Sequence, residues 1–96
     1  AVLIRALEPV EGIGLMKVRR GKKKITELCS GPAKLVQAMG IKKEYNGMPL
    51  TGELLFLSLA NEVKTEIITT TRIGIKEGAE LPLRFYISGS KYISRK

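Results

Sequence analysis

Residues 28–41 read LCSGPAKLVQAMGI, and the punctuation inside this stretch places a helix. Pro32 fits the first helical position, where its missing N–H costs nothing and its φ is already near the helical value. Gly31 then serves as the N-cap with Ser30 beside it, and Gly40 stops the helix. A helix is predicted over 32–39, with Leu35, Val36 and Met39 as its buried stripe. Lys34 falls in the first turn, where the helix dipole disfavours a cation unless an anion is present. A helix N-terminus offers unpaired N–H groups, and a small cap lets an anion come close. The stretch therefore reads in two ways, as an ordinary cap with a solvent-facing lysine or as an anion-binding element. By itself it does not favour the second.

Upstream, EGIGLMKVRR at 11–20 reads as a short helix that closes on Arg19, Arg20 and Gly21. Cations suit a helix C-terminus and glycine suits the position after it. VLIRAL at 2–7 is apolar except for Arg5, and Glu8-Pro9 ends it, so it reads as an interior strand. Leu3 and Arg5 share one face by the period of two. Arg5 either sits at the strand's wet end and snorkels, the reading the residues alone favour, or aims a buried guanidinium at a carboxylate or an anion. Downstream, YNGMPLTG at 45–52 is turn chemistry. Strands are predicted at 53–59, 65–75 and 82–88, each rich in leucine, β-branched or aromatic residues. The tail GSKYISRK reads as a short edge element. The order is a strand, two short helices and then several strands. It predicts an α+β domain with a mainly antiparallel sheet and short flanking helices.

At 96 residues the chain is one small domain with little margin for a core. It begins inside what reads as a buried strand, so it is read as a piece of something longer. There are 17 Lys and Arg against 9 Asp and Glu, a net charge of +8. Residues 1–50 hold 10 of the cations and 4 of the acids, so the excess is clustered. RRGKKK at 19–24 packs five cations into six residues. The tract is either a solvated loop or a patch that follows phosphates. The clustering favours a polyanion partner over plain solubility. Cys29 is alone, which excludes an intramolecular disulfide framework and fits a reducing compartment. There is no histidine, which argues against a metal site or a Ser-His or Cys-His nucleophile in this chain. No apolar run reaches membrane-span length and no signal peptide is visible.

Four blocks carry a resemblance. They are AVLIRALEPVEGIGLMKVRRG at 1–21, LCSGPAKLVQAMGI at 28–41, RIGI at 72–75 and PLRFYISGSKYIS at 81–93. In this order the chain resembles the alkyladenine (3-methyladenine, methylpurine) DNA glycosylases, with a loose match over 44–71. The resemblance implies a larger single α+β domain around a curved antiparallel sheet, of which residues 1–96 form the C-terminal half. It implies an enzyme that flips a damaged purine from duplex DNA and hydrolyses its N-glycosidic bond. Such an enzyme is monofunctional, leaving an abasic site and an uncut strand. No metal or organic cofactor is implied. The partner is double-stranded DNA containing alkylated or deaminated purines, the protein is expected to be monomeric, and no membrane is involved. Localisation is expected in the cytoplasm or nucleoid of a prokaryote, or in a eukaryotic nucleus.

The resemblance also assigns residues. Arg5 aligns with a strand arginine beside the catalytic water and glutamate, which reverses the reading from the residues alone. Leu3 falls near the floor of the base pocket. Arg20, with Arg19 beside it, aligns with phosphate contacts. Gly31, Pro32, Ala33 and Lys34 match the phosphate-binding loop and helix start. Lys22–Lys24 match poorly and are given only a screening role. The general-base glutamate, the base-stacking aromatic residues, the tyrosine that fills the vacated space and the pocket histidine are all expected upstream, so Glu8 and Glu11 are not the base. Phe85 and Tyr86 are read as strand residues, one of them in the core, and neither they nor Tyr92 are read as stacking on a base. The alternative reading is a non-catalytic basic nucleic-acid-binding module. A ribosome- or tRNA-associated basic domain is a third, favoured only by charge and size.

Overall fold

The computed structural model describes residues 1–59 and 65–94. They fall into two compact units, one of residues 1–59 with 91–94 and the other of residues 65–90. The first unit carries two α-helices, α1 (Ile13–Arg20) and α2 (Pro32–Met39), with single 3-10 turns at Ile25–Glu27 and Lys43–Tyr45. The second carries an antiparallel pair of strands, β1 (Ile67–Thr70) and β2 (Arg84–Ile87). The class is α+β with an antiparallel sheet, as the order of sequence patterns predicts.

Helix α2 spans the residues its punctuation marks, from Pro32 to the glycine stop. Its buried face differs from the predicted stripe. Leu35 and Ala38 are buried, whereas Val36 and Met39 are exposed. The face turned inward is thus an i, i+3 pair, and the small Ala38 leaves room for α1 to approach. Leu28, Cys29, Leu35 and Ala38 form the core of this unit, with Ile13, Met16 and Ile25 packed against it. Each fully buried leucine is worth about 1.5–3 kcal/mol of transfer free energy.

Both helices end on a glycine in the left-handed region. After α1, the Gly21 N–H donates to the Val18 carbonyl and the Lys22 N–H to the Lys17 carbonyl, a Schellman turn. After α2, Gly40 has φ 66°, and the Arg19 guanidinium lies across it. A methyl group built at residue 40 would stand 3.0 Å from Arg19 Cζ. Gly40→Ala therefore meets both a disfavoured backbone and an occupied space, and the expected loss is about 1–2 kcal/mol. Gly14 lies inside α1 with nothing within 4 Å of a built Cβ. Gly14→Ala is expected to gain about 0.5–1 kcal/mol. Urea midpoints that move in opposite directions for the two variants check this pair.

The sheet is shorter than the sequence patterns predict. Ile67 pairs with Ile87, Ile68 with Tyr86, Thr69 with Phe85 and Thr70 with Arg84. Pro82 cannot donate to a ladder, and β2 begins only after it. One face of the pair presents Ile67, Thr69, Phe85 and Ile87, all exposed. The other presents Ile68, Thr70, Arg84 and Tyr86, all half-buried. The Arg84 guanidinium lies 4.6 Å from the centre of the Tyr86 ring, a cation–π contact. Neither Phe85 nor Tyr86 is a core residue: Phe85 is exposed and Tyr86 half-buried.

Two predicted strands do not form. Among the described residues, residues 53–59 contribute only the bridge from Phe56 to Thr51, beside a bond from the Leu57 N–H to the Leu50 carbonyl. The segment closes on its own neighbour rather than on a ladder. Residues 2–7 hold no strand, and Val2, Leu3, Ile4 and Leu7 are exposed. A strand needs a row of backbone partners. Among the described residues, the one backbone bond this segment makes outside helices and strands runs from the Leu7 N–H to the Cys29 carbonyl, at 3.0 Å. The tail forms no edge strand over residues 89–94, and residues 95 and 96 lie outside the described residues.

Candidate nucleic-acid interface

The N-terminus of α2 is built by Ser30, Gly31, Pro32, Ala33 and Lys34. Ser30 is buried and Gly31 is extended at the cap. The Leu35 N–H donates to the Gly31 carbonyl at 2.8 Å, the first turn's closing bond. Pro32 has no N–H, so Ala33 and Lys34 carry the first-turn N–H groups for which an α-helix provides no acceptor. The Lys34 stem folds over Gly31, with Cδ 3.5 Å from where a Cβ would stand. Its ammonium donates to Ser30 Oγ at 3.5 Å. A cation is thus held over the end of the helix that the dipole makes positive, with only a neutral hydroxyl as partner among the described residues. An anion placed there would meet the two backbone N–H groups and the ammonium together.

The N-terminal segment reaches this region through the bond from Leu7 to Cys29, which places it beside the residue that precedes Ser30. Leu3 and Arg5 lie on that segment. Both are exposed, and Arg5 makes no hydrogen bond or ion pair among the described residues.

Arg19 and Arg20 are placed differently. Arg19 Nη1 donates to the Ala38 carbonyl at 3.0 Å, so it caps the C-terminus of α2. Arg20 donates through Nε to the Leu28 carbonyl at 3.2 Å, through Nη2 to the Glu27 carbonyl at 3.2 Å and through Nη1 to Gln37 Oε1 at 2.9 Å. Three of its five N–H donors are committed inside the protein. These two side chains brace α1 against α2 and against the turn between them. Sequence reasoning missed this role, and also the part of Gln37. The available signal was residue type: a planar five-donor fork satisfies several carbonyls at once, which a lysine cannot do, and the tract changes from Arg to Lys after Gly21.

Cys29 is a buried free thiol. Burial pushes its pKa up, and the nearby Arg20 guanidinium partly offsets that. It is an inert core residue rather than a nucleophile. Among the described residues no group of three or more His, Cys, Asp or Glu side chains is placed to hold a metal ion. No helix among the described residues is long and apolar enough to cross a membrane.

The family description "Methylpurine-DNA glycosylase" matches residues 1–91. The chain belongs to the methylpurine-DNA glycosylase family. Curated relatives named "Putative 3-methyladenine DNA glycosylase" agree with it over its whole length. One from Carboxydothermus hydrogenoformans is 52% identical over 98 residues, 51% of that protein. One from Methanoculleus marisnigri is 53% identical over 100 residues, 52% of its length. A third, from Agrobacterium fabrum, is 48% identical over 96 residues, 49% of its length. The chain thus spans about half the length of these methylpurine-DNA glycosylase relatives.

Proposed function

We propose that residues 1–96 are the C-terminal portion of one methylpurine-DNA-glycosylase domain, which as a whole removes alkylated or deaminated purines from duplex DNA. The observation that carries this reading is the family match across residues 1–91. The arrangement at the start of α2 supports it, because it offers a phosphate two backbone donors and a lysine.

In this reading the chain supplies grip and one catalytic group. Gly31, Pro32, Ala33 and Lys34 hold a backbone phosphate near the flipped nucleotide and help offset the few kcal/mol that flipping costs. Arg19 and Arg20 brace the two helices that present this element, and the remaining N–H groups of Arg20 face the DNA backbone. Leu3 lines the base pocket. Arg5 lies beside the attacking water and the carboxylate that activates it, and keeps that carboxylate ionised. Water bonds to C1′ as the glycosidic bond breaks, and the bonding pair leaves with the base. The carboxylate takes the water's proton. An alkylated purine already carries a positive charge, so its departure neutralises it and needs little protonation. In this reading the carboxylate and the aromatic residues that hold the base are supplied by the rest of the domain, not by residues 1–96. The reading places the protein where DNA is, in a prokaryotic cytoplasm or nucleoid or in a nucleus, and it requires no cofactor.

The test uses the complete protein and a duplex carrying one 3-methyladenine, or hypoxanthine as a stable substitute. Free base should appear while the strand stays whole until alkali cleaves the abasic site. Strand cleavage without alkali would overturn the monofunctional assignment. Duplex binding with no base released would favour the non-catalytic module.

A further inference from the structure

We propose that Lys22, Lys23 and Lys24 form a second phosphate-contact surface for duplex DNA, separate from the start of α2; this rests on the reading of the chain as part of a DNA glycosylase. The loop that carries them is closed at its base. Arg20 precedes it, and the Arg20 guanidinium reaches across to the Glu27 and Leu28 carbonyls at its far end. The loop backbone is pinned from within as well. The Lys22 N–H donates to the Lys17 carbonyl at 3.3 Å, and the Glu27 N–H donates to the Lys24 carbonyl at 3.1 Å. All three lysines are exposed, and none has a carboxylate partner among the described residues.

Three consecutive ammonium groups on a fixed loop repel one another, and an anionic surface relieves that repulsion. Because the backbone is already held, binding orders only side chains, which lowers its entropic cost. Residue type points to the class of partner. Lysine is a compact point charge without the planar fork that reads a particular group, which suits sequence-independent contact with a phosphate backbone. The tract RRGKKK thus divides its labour: the arginines close the loop and the lysines face outward.

The experiment compares the complete protein with its K22A/K23A/K24A variant, using a short undamaged duplex as probe. Affinity is measured across a salt series, and base release is followed under single turnover at saturating protein. The slope of log K against log salt should fall by about 2–3 units, since each neutralised phosphate contributes about 0.9. Raising salt from about 50 to about 200 mM should then cost the variant roughly 15- to 60-fold less affinity than the parent. Base release at saturation should be unchanged. A parent that releases base and a variant with the parent's slope would overturn the loop assignment and leave the glycosylase reading intact. A parent that binds DNA but releases no base, with a slope that falls in the variant, would overturn the glycosylase reading and leave the loop assignment standing. A parent with no affinity for duplex would overturn both.

Discussion

Arg5→Ala in the complete protein should slow single-turnover excision by roughly 100-fold while leaving affinity for undamaged duplex near that of the parent. The size is that of removing one preorganised donor or charge from a reacting centre, and corresponds to about 2.7 kcal/mol of barrier. Arg5 is exposed and makes no hydrogen bond or ion pair among the described residues, so its removal strips no internal carbonyl of a donor and stability should hardly move. The pH profile separates this role from a structural one. A neighbouring guanidinium lowers a carboxylate's pKa. Without it the general base protonates at higher pH, so the acid limb of the rate profile should move upward. Arg5→Lys should restore part of the rate and most of the profile. Parental excision by Arg5→Ala, or an acid limb that stays put, would remove Arg5 from the reaction.

Leu28→Ala should have the largest effect on stability. Leu28 is fully buried at the centre of the helical unit, and its carbonyl accepts from Arg20. Among the described residues the hydrophobic core it belongs to holds only Cys29, Leu35 and Ala38 besides, so few neighbours can shift to fill the space. The expected loss is about 2–5 kcal/mol, a large share of the roughly 5–15 kcal/mol that holds a typical domain. A urea titration should show a much lower midpoint with an unchanged slope. Val36→Ala on the outer face of α2 serves as the reference and should move the midpoint by a few tenths of that. Equal shifts for the two positions would contradict the burial pattern.

The parts of the fold legible in the sequence are those fixed by local chemistry. Proline at the first position and glycine at the stop place α2 to the residue, and Gly21 ends α1, because caps act over a few bonds. The strands were less legible. A strand exists only with a partner, and apolar richness at 2–7 and 53–59 does not say whether a ladder is available. The same division holds at the interface. The place of Lys34 in the first turn of α2 was legible because Pro32 sets it. The internal contacts of Arg19 and Arg20 were not, because their acceptors lie 7 to 19 residues away in sequence, and composition cannot distinguish a guanidinium that meets water from one that meets a carbonyl. The resemblance located both arginines at the interface, and the structure supplies the contacts they make within the protein.

The guanidinium of Arg19 occupies the volume that any side chain at position 40 would claim. These two positions are therefore coupled. A side chain at 40 is strained by its left-handed backbone whatever stands at 19, and it also pushes the Arg19 guanidinium aside, which weakens the donor that satisfies the Ala38 carbonyl. The far end of α2 thus constrains the last turn of α1, and drift in either helix is limited by a partner that lies 21 residues away along the chain.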